Sequence, residues 1–507
     1  MKTSTVFAAM MVVFLALGCS SGDTPNMTDS ATQQAASSAT ATATQQSSSS
    51  SAATEAATQQ AAASSATATA TSSATATATQ QSLSSSATAT ATQQESKQML
   101  SITKVPAPTF TLTKGFDKFS AQEESSFASV LSQYFYSVET RMGISAAIFS
   151  GERLWSGTEG FASENVPMRS DTPISVMSSS KTFLTALILK HVDDGLYNLD
   201  DRLSELLSGH QGYERLNAKI IADATVEELL LMTAGHADKD TSSGGSQLNY
   251  VVAKPNWVPS DTITLTVSPA RPSGSYEYSN TSSYLLGLIA QYQSQTDLNE
   301  LYQSELLERL SIQAGLRPVI EIPDDMALPH ADFSKYGGAP GWGELTQMMP
   351  LGVSPGYTVN FFEQDGRLAW SAAGIVSTPE NMARWAYELL SPNGKVLSAT
   401  SRNLLVNSFI EKPVNLSGVI QNYGYHLARR EYKLSNGSTF VTYGHPGGGG
   451  GYGSVLYYSP ALDMAVSVVA NSELGYQRAD CGDARTGDYA SPLVCTARGL
   501  FESVISD

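Results

Sequence analysis

Hydrophobic positions divide the chain into three unlike parts. Residues 6–17 form a short unbroken apolar run, residues 20 to about 100 show no apolar periodicity, and from about residue 105 the pattern becomes that of a folded protein. "ISAAIFSGERLWSGTEGFAS", residues 144–163, alternates as two strands around a turn at Gly151 would. "KTFLTALILKHVDDG" is apolar nearly all round, with Phe183, Leu184, Leu187, Ile188, Leu189 and Val192, and Gly195 supplies a C-terminal stop. It therefore predicts a buried helix. "TVEELLLMTAGH" and "SSYLLGLIAQYQSQ" extend a helical middle, and "TFVTYGHPGGGGGYGSVLYYSPALDMAVSVVANS" returns to strands, with "SPALD" as a hairpin turn. Strands at both ends with helices between predict an α/β (α+β) domain. Its antiparallel sheet would be built from both ends of the domain and flanked by helices, with a mostly helical insertion.

The opening "MKTSTVFAAMMVVFLALGC" has the cation, the apolar stretch and the small residues of an export signal, and is too short to cross a membrane as a helix. "LALGC" resembles a bacterial lipobox, although Leu17 stands where Ala or Ser is more usual. Residues 1–19 are thus expected to be a lipoprotein-type signal, with Cys19 lipidated. The chain would then be anchored to a bacterial membrane facing the periplasm, and Ser20 fits outer-membrane sorting. "SSATATATQQ" recurs at residues 37–46, 72–81 and 85–94. This repeat has no apolar face to offset its ordering entropy, so residues 20–104 are expected to be a disordered tether, reaching about 50 Å by random-coil scaling. The working part is residues 105–507.

A net charge of -17, from 47 acidic and 30 basic side chains, argues against nucleic acid and anionic lipid surfaces as partners. Membrane association is expected only through the lipid. With Cys19 consumed, Cys481 and Cys495 remain, and in an oxidising compartment they could close a short disulfide loop.

The buried helix opens on three serines and a lysine, "SSSK". If it begins near Ser178, that residue shares a face with Lys181 three positions on, while Ser179 and Ser180 point elsewhere. A desolvated amine beside a hydroxyl can serve as its base, although a helix cap with a surface lysine would give the same letters. "GVSPG", residues 352–356, offers a rival nucleophile in Ser354. Pro355 follows it and has no N–H for an oxyanion, so Ser354 is rejected. The six histidines fall in no ligand-pair spacing, and neither metal nor cofactor is expected.

Two further motifs change the reading. Tyr278-Ser279-Asn280 precedes a helix, and His445-Pro446-Gly447 follows a strand-like run. With S-x-x-K, in this order and spacing, the chain resembles the serine β-lactamase and penicillin-binding-protein superfamily, particularly the branch of class C β-lactamases, D,D-carboxypeptidases and family VIII esterases. The likeness spans roughly residues 115–505 and implies a β-lactamase/transpeptidase-like fold. It also implies that Ser178 is acylated, that Lys181 takes or relays its proton, and that Tyr278 passes a proton to the leaving group. Asn280 would bind the acyl side, His445 and Gly447 would line the site, and the N–H groups of Ser178 and Gly448 would form an oxyanion hole.

One departure matters. Many relatives have Thr where this chain has Pro446, and the Thr hydroxyl helps hold a substrate carboxylate. Its loss leaves esters and other amides open beside peptide-like and β-lactam substrates. Proline is tolerated there only where no ladder N–H is needed. The expectation is an exported serine hydrolase acting through an acyl-enzyme near the cell wall. A non-catalytic relative that binds cell-wall peptide or β-lactam is the alternative.

Overall fold

The computed structural model describes residues 100–138, 141–216, 219–238, 256–264, 274–331, 358–359, 366–416, 419–433, 439–449, 451–472 and 491–505, with positions 97, 254, 270, 474, 479 and 481. Ser354 and the lipobox lie outside the described residues, as does the repeat region. Lys97 hydrogen-bonds the Gln293 side chain at 2.6 Å, so contacts with the folded body begin ahead of residue 105.

Among the described residues the large sheet has nine strands: β1 (Gly143–Phe149), β2 (Leu154–Ser163), β3 (Val166–Pro167), β4 (Val414–Leu416), β5 (Val419–Tyr423), β6 (Ala428–Lys433), β7 (Thr439–Gly449), β8 (Tyr452–Ser459) and β9 (Met464–Ala470). Their order is β3-β2-β1-β9-β8-β7-β6-β5-β4, all antiparallel neighbours. The junction pairs Ile144 with Ala470 and Phe149 with Ala465, which joins strands from the two ends of the domain. The β1–β2 hairpin turns at Gly151, whose φ of +85° suits glycine. The last hairpin turns at "SPALD", where Asp463 has φ +43°.

Alternation along β1 sends its side chains into two cores. Ile144, Ala146 and Ile148 meet Phe127, Leu131 and Phe135 of α1 (Ala121–Phe135) and Leu500 and Phe501 of the C-terminal helix Pro492–Ile505. Ala147 and Phe149 belong to the core that holds α2 (Lys181–Asp193) and α3 (Asn280–Ser294). The helix α4 (Pro379–Leu390) joins this core through Trp385, which stacks on Phe183 of α2 at 4.0 Å between centroids. Burial all round α2 follows from its sequence. A three-stranded sheet, Ile174–Ser175, Ile375–Ser377 and Ala314–Leu316, lies at the base of the turn Met177–Ser180.

Candidate active site

Ser178 sits in a 3-10 turn, Met177–Ser180, that runs directly into α2. Met177 has φ +47°, a left-handed conformation that costs a non-glycine residue free energy and turns the chain sharply between Ile174–Ser175 and the helix. The turn leaves Ser178 partly exposed while Ser179 and Ser180 are buried. The three serines thereby become chemically unequal.

Lys181 is fully buried and donates from Nζ to Ser178 Oγ at 3.1 Å, to Asn280 Oδ1 at 2.7 Å and to the Ala372 carbonyl at 2.8 Å. Three oxygens around a buried amine compensate its lost hydration. Tyr278, just ahead of α3, donates its O–H to Ser178 Oγ at 3.0 Å, and Lys181 Nζ lies 5.0 Å from the centre of its ring. Asn280 opens α3, and its Nδ2 approaches Asp238 Oδ2 at 3.4 Å. Residues 99 positions apart in the chain are thus joined at one nitrogen.

The opposite wall is β7. A Cβ built on Gly447 would lie 2.5 Å from the Val176 carbonyl and 2.8 Å from the Ser178 nitrogen. Only glycine lets the strand run this close to the turn that holds Ser178. Gly448 follows, paired with Gly453 of β8. Pairing between β7 and β6 ends at Gly444, whereas β7 and β8 stay paired to Gly449. Pro446 therefore lies where β7 has a neighbour on one side only, the edge condition that proline requires.

His445 is buried, and its Nδ1 lies 2.5 Å from the Pro446 carbonyl while its Nε2 lies 2.9 Å from Tyr423 Oη. Nδ1–H therefore donates to the carbonyl and the Tyr423 O–H donates to Nε2, which describes a neutral ring. Burial, reinforced by the charge of Lys181, lowers its pKa to about 3. Tyr423, fully buried, is pushed well above the usual phenol value by burial and by Tyr278 and Tyr276. A second buried histidine, His426, contacts Thr185 Oγ1 at 3.1 Å and Ser283 Oγ at 3.4 Å, and is held well below the usual value by burial and by Lys181.

All seven motif positions named from sequence, Ser178, Lys181, Tyr278, Asn280, His445, Gly447 and Gly448, fall on these two walls. Sequence reasoning missed Tyr423, the Ala372 carbonyl and the work of Ser179. Ser179 donates to the His445 carbonyl at 2.7 Å and lies 2.8 Å from Ser454 Oγ, which itself donates to the Val176 carbonyl at 2.6 Å. Ser180 accepts from the Ile375 N–H at 3.0 Å. Away from the cleft, Cys481 and Cys495 form a disulfide with Cα atoms 5.5 Å apart. Among the described residues no group of three or more His, Cys, Asp or Glu side chains is placed to hold a metal.

Fold and cleft together define the serine β-lactamase and penicillin-binding-protein superfamily. The Beta-lactamase family model matches residues 133–489, and the chain belongs to that family. Penicillin-binding protein 4 of Amycolatopsis lactamdurans is 23% identical over 316 residues, covering 60% of this chain and 74% of that protein. The D-amino acid amidase of Ochrobactrum anthropi SV3, solved with L-phenylalanine amide, superposes with a TM-score of 0.59 at 18% identity, covering 76% of this chain and 99% of that one. A D-stereospecific amidohydrolase from Streptomyces sp. gives a TM-score of 0.51 at 18% identity, over 70% and 94% of the two chains. At these identities the solved structures speak for the fold.

Proposed function

We propose that this protein is a serine hydrolase that cleaves amides or esters through an acyl-enzyme on Ser178. The observation that carries the reading is the convergence of Lys181 Nζ and Tyr278 Oη on Ser178 Oγ, at 3.1 and 3.0 Å. An unassisted serine hydroxyl is a weak nucleophile, and an adjacent base is what activates it. Lys181 and Tyr278 act as a coupled pair, one of which accepts the Oγ proton as Oγ bonds to the substrate carbonyl carbon.

The positive charge of Lys181 lies near both oxygens and stabilises negative charge as it develops on either. The N–H groups of Ser178 and Gly448 receive the carbonyl oxygen, each such donor being worth about 3 to 4 kcal/mol of barrier. Collapse breaks the bond to the leaving group, which departs with a proton from Tyr278. Water then adds to the acyl carbon by the reverse proton path, freeing the acid and Ser178. Amide chemistry is supported by the fold shared with the D-amino acid amidase.

The test is incubation with a fluorophosphonate probe, a fluorescent penicillin and p-nitrophenyl esters of short acids. Wild-type protein is expected to be labelled by the fluorophosphonate and to turn over an ester, and Ser178→Ala to lose both by more than about a thousandfold. Labelling or turnover that survives in Ser178→Ala would exclude the mechanism.

A further inference from the structure

The two ends of a bound substrate have different neighbours in this cleft. Tyr278 is the group placed to protonate a departing atom, so the leaving group must lie on its side of Ser178. The Tyr278 ring faces His445 at 6.2 Å and Tyr423 at 6.3 Å between ring centres, and Pro446 continues the same wall. A carboxylate brought here would shed much of its water and would need a cation or free donors in exchange. His445 offers neither, because Nδ1–H is committed to the Pro446 carbonyl and Nε2 is an acceptor already filled by the Tyr423 hydroxyl. Pro446 has no side-chain hydroxyl and no backbone N–H. Tyr423 is fully buried and spends its proton on His445. The protein's net charge of -17 adds a long-range bias in the same direction.

We infer that the Tyr423–His445–Pro446 wall, whose described residues offer a leaving-group carboxylate neither a cation nor an uncommitted donor, makes this enzyme prefer amides and esters whose leaving group carries no carboxylate, with His445 and Pro446 as specificity-determining residues. The inference rests on the acyl-enzyme reading and extends it to a substrate class. It sets the chain apart, in chemistry, from an enzyme that grips a peptide's terminal carboxylate, while leaving the acyl half of the substrate unrestricted.

Two matched esters test it: 3-carbamoylphenyl and 3-carboxyphenyl butyrate, equal in acyl group and nearly equal in shape, differing in the charge of the departing phenol. The carbamoyl ester is expected to show a kcat/KM more than about fivefold higher, with the difference carried mainly by KM because the missing interaction is a binding one. A smaller ratio, or preference for the carboxyl ester, would overturn the inference.

Pro446→Thr, which supplies a hydroxyl, and His445→Lys, which places a cation where the neutral ring stands, are each expected to shrink the ratio by at least about threefold, carbamoyl-ester turnover reporting that the variant is folded. Unchanged ratios in both variants would equally overturn the assignment to this wall. Ser178→Ala separates the two levels. If either ester is still cleaved by it, or neither is cleaved by the wild type, the acyl-enzyme reading fails instead.

Discussion

The two walls of the cleft treat their polar groups in opposite ways. On the helical wall, Lys181 and Tyr278 aim at one oxygen, Ser178 Oγ. On the strand wall, His445 turns its ring nitrogens inward, to Tyr423 and to the Pro446 carbonyl, and Pro446 and the glycines that follow it in β7 carry no polar side chain. On the proposed reading, one wall concentrates reactivity and the other withholds charge. Activation and selectivity can therefore be separated by mutation, because they are held by residues from distant parts of the chain.

The sharpest way to break this contrast is at Tyr278. Tyr278→Phe keeps the ring against His445 and Tyr423 but removes the oxygen that meets Ser178 Oγ. Steady-state kinetics should show a kcat/KM loss of about 100- to 10,000-fold with a near-normal melting temperature. A loss under tenfold would mean that the helical wall works through Lys181 alone.

The next effect belongs to the strand wall and is read as stability against pH. With a folded pKa of about 3 and an unfolded value near 6.5, His445 binds its proton more readily in the unfolded chain. Its contribution to stability is therefore whole above pH 6.5 and falls as the pH drops towards 3, by about 2 to 3 kcal/mol at pH 4.5. Urea midpoints at pH 7.5 and 4.5 should differ less in His445→Gln than in the wild type. An equal acid loss in both would show that His445 takes up protons in the folded protein, and the wall would no longer be uncharged.

The smallest effect is at the seam between the walls. Ser179→Ala removes the donor to the His445 carbonyl and one neighbour of Ser454 Oγ, and should cost about 1 to 2 kcal/mol in a denaturant titration. Kinetics at 25 °C should show at most a modest fall, since Ser179 Oγ is buried against the His445 carbonyl and Ser454 Oγ. If Ser179→Ala instead abolished turnover with stability intact, the register that selects Ser178 would be wrong.

How much of this was readable in the letters follows from how local each signal is. The buried helix, the β1–β2 hairpin and the turn at Asp463 are patterns within some twenty residues, and each appears where its periodicity or turn chemistry puts it. Ser178 and Lys181 share a face by spacing alone, and the three motifs point to one family jointly though none does so singly. Tyr423 had no such signal. It is one of 22 tyrosines, in the short strand β5, and its role exists only because β5 and β7 bring it to His445, 22 positions away. Register set Ser179 apart from Ser178 but gave it no work, because its partners lie 266 and 275 positions further on. The edge at Pro446 was a condition in the sequence and became a fact only through the register that stops β6 at Gly444.

The pairing of β1 with β9 has a consequence in time. Residue 144 waits for residue 470 before the centre of the sheet can close, and Ser179 waits for His445. Contacts of such sequence separation form late and slow a fold that depends on them. During synthesis Ser178, Lys181 and Tyr278 are made before the strand that carries His445, Gly447 and Gly448. On the proposed acyl-enzyme reading, hydrolytic competence arrives only with the finished fold.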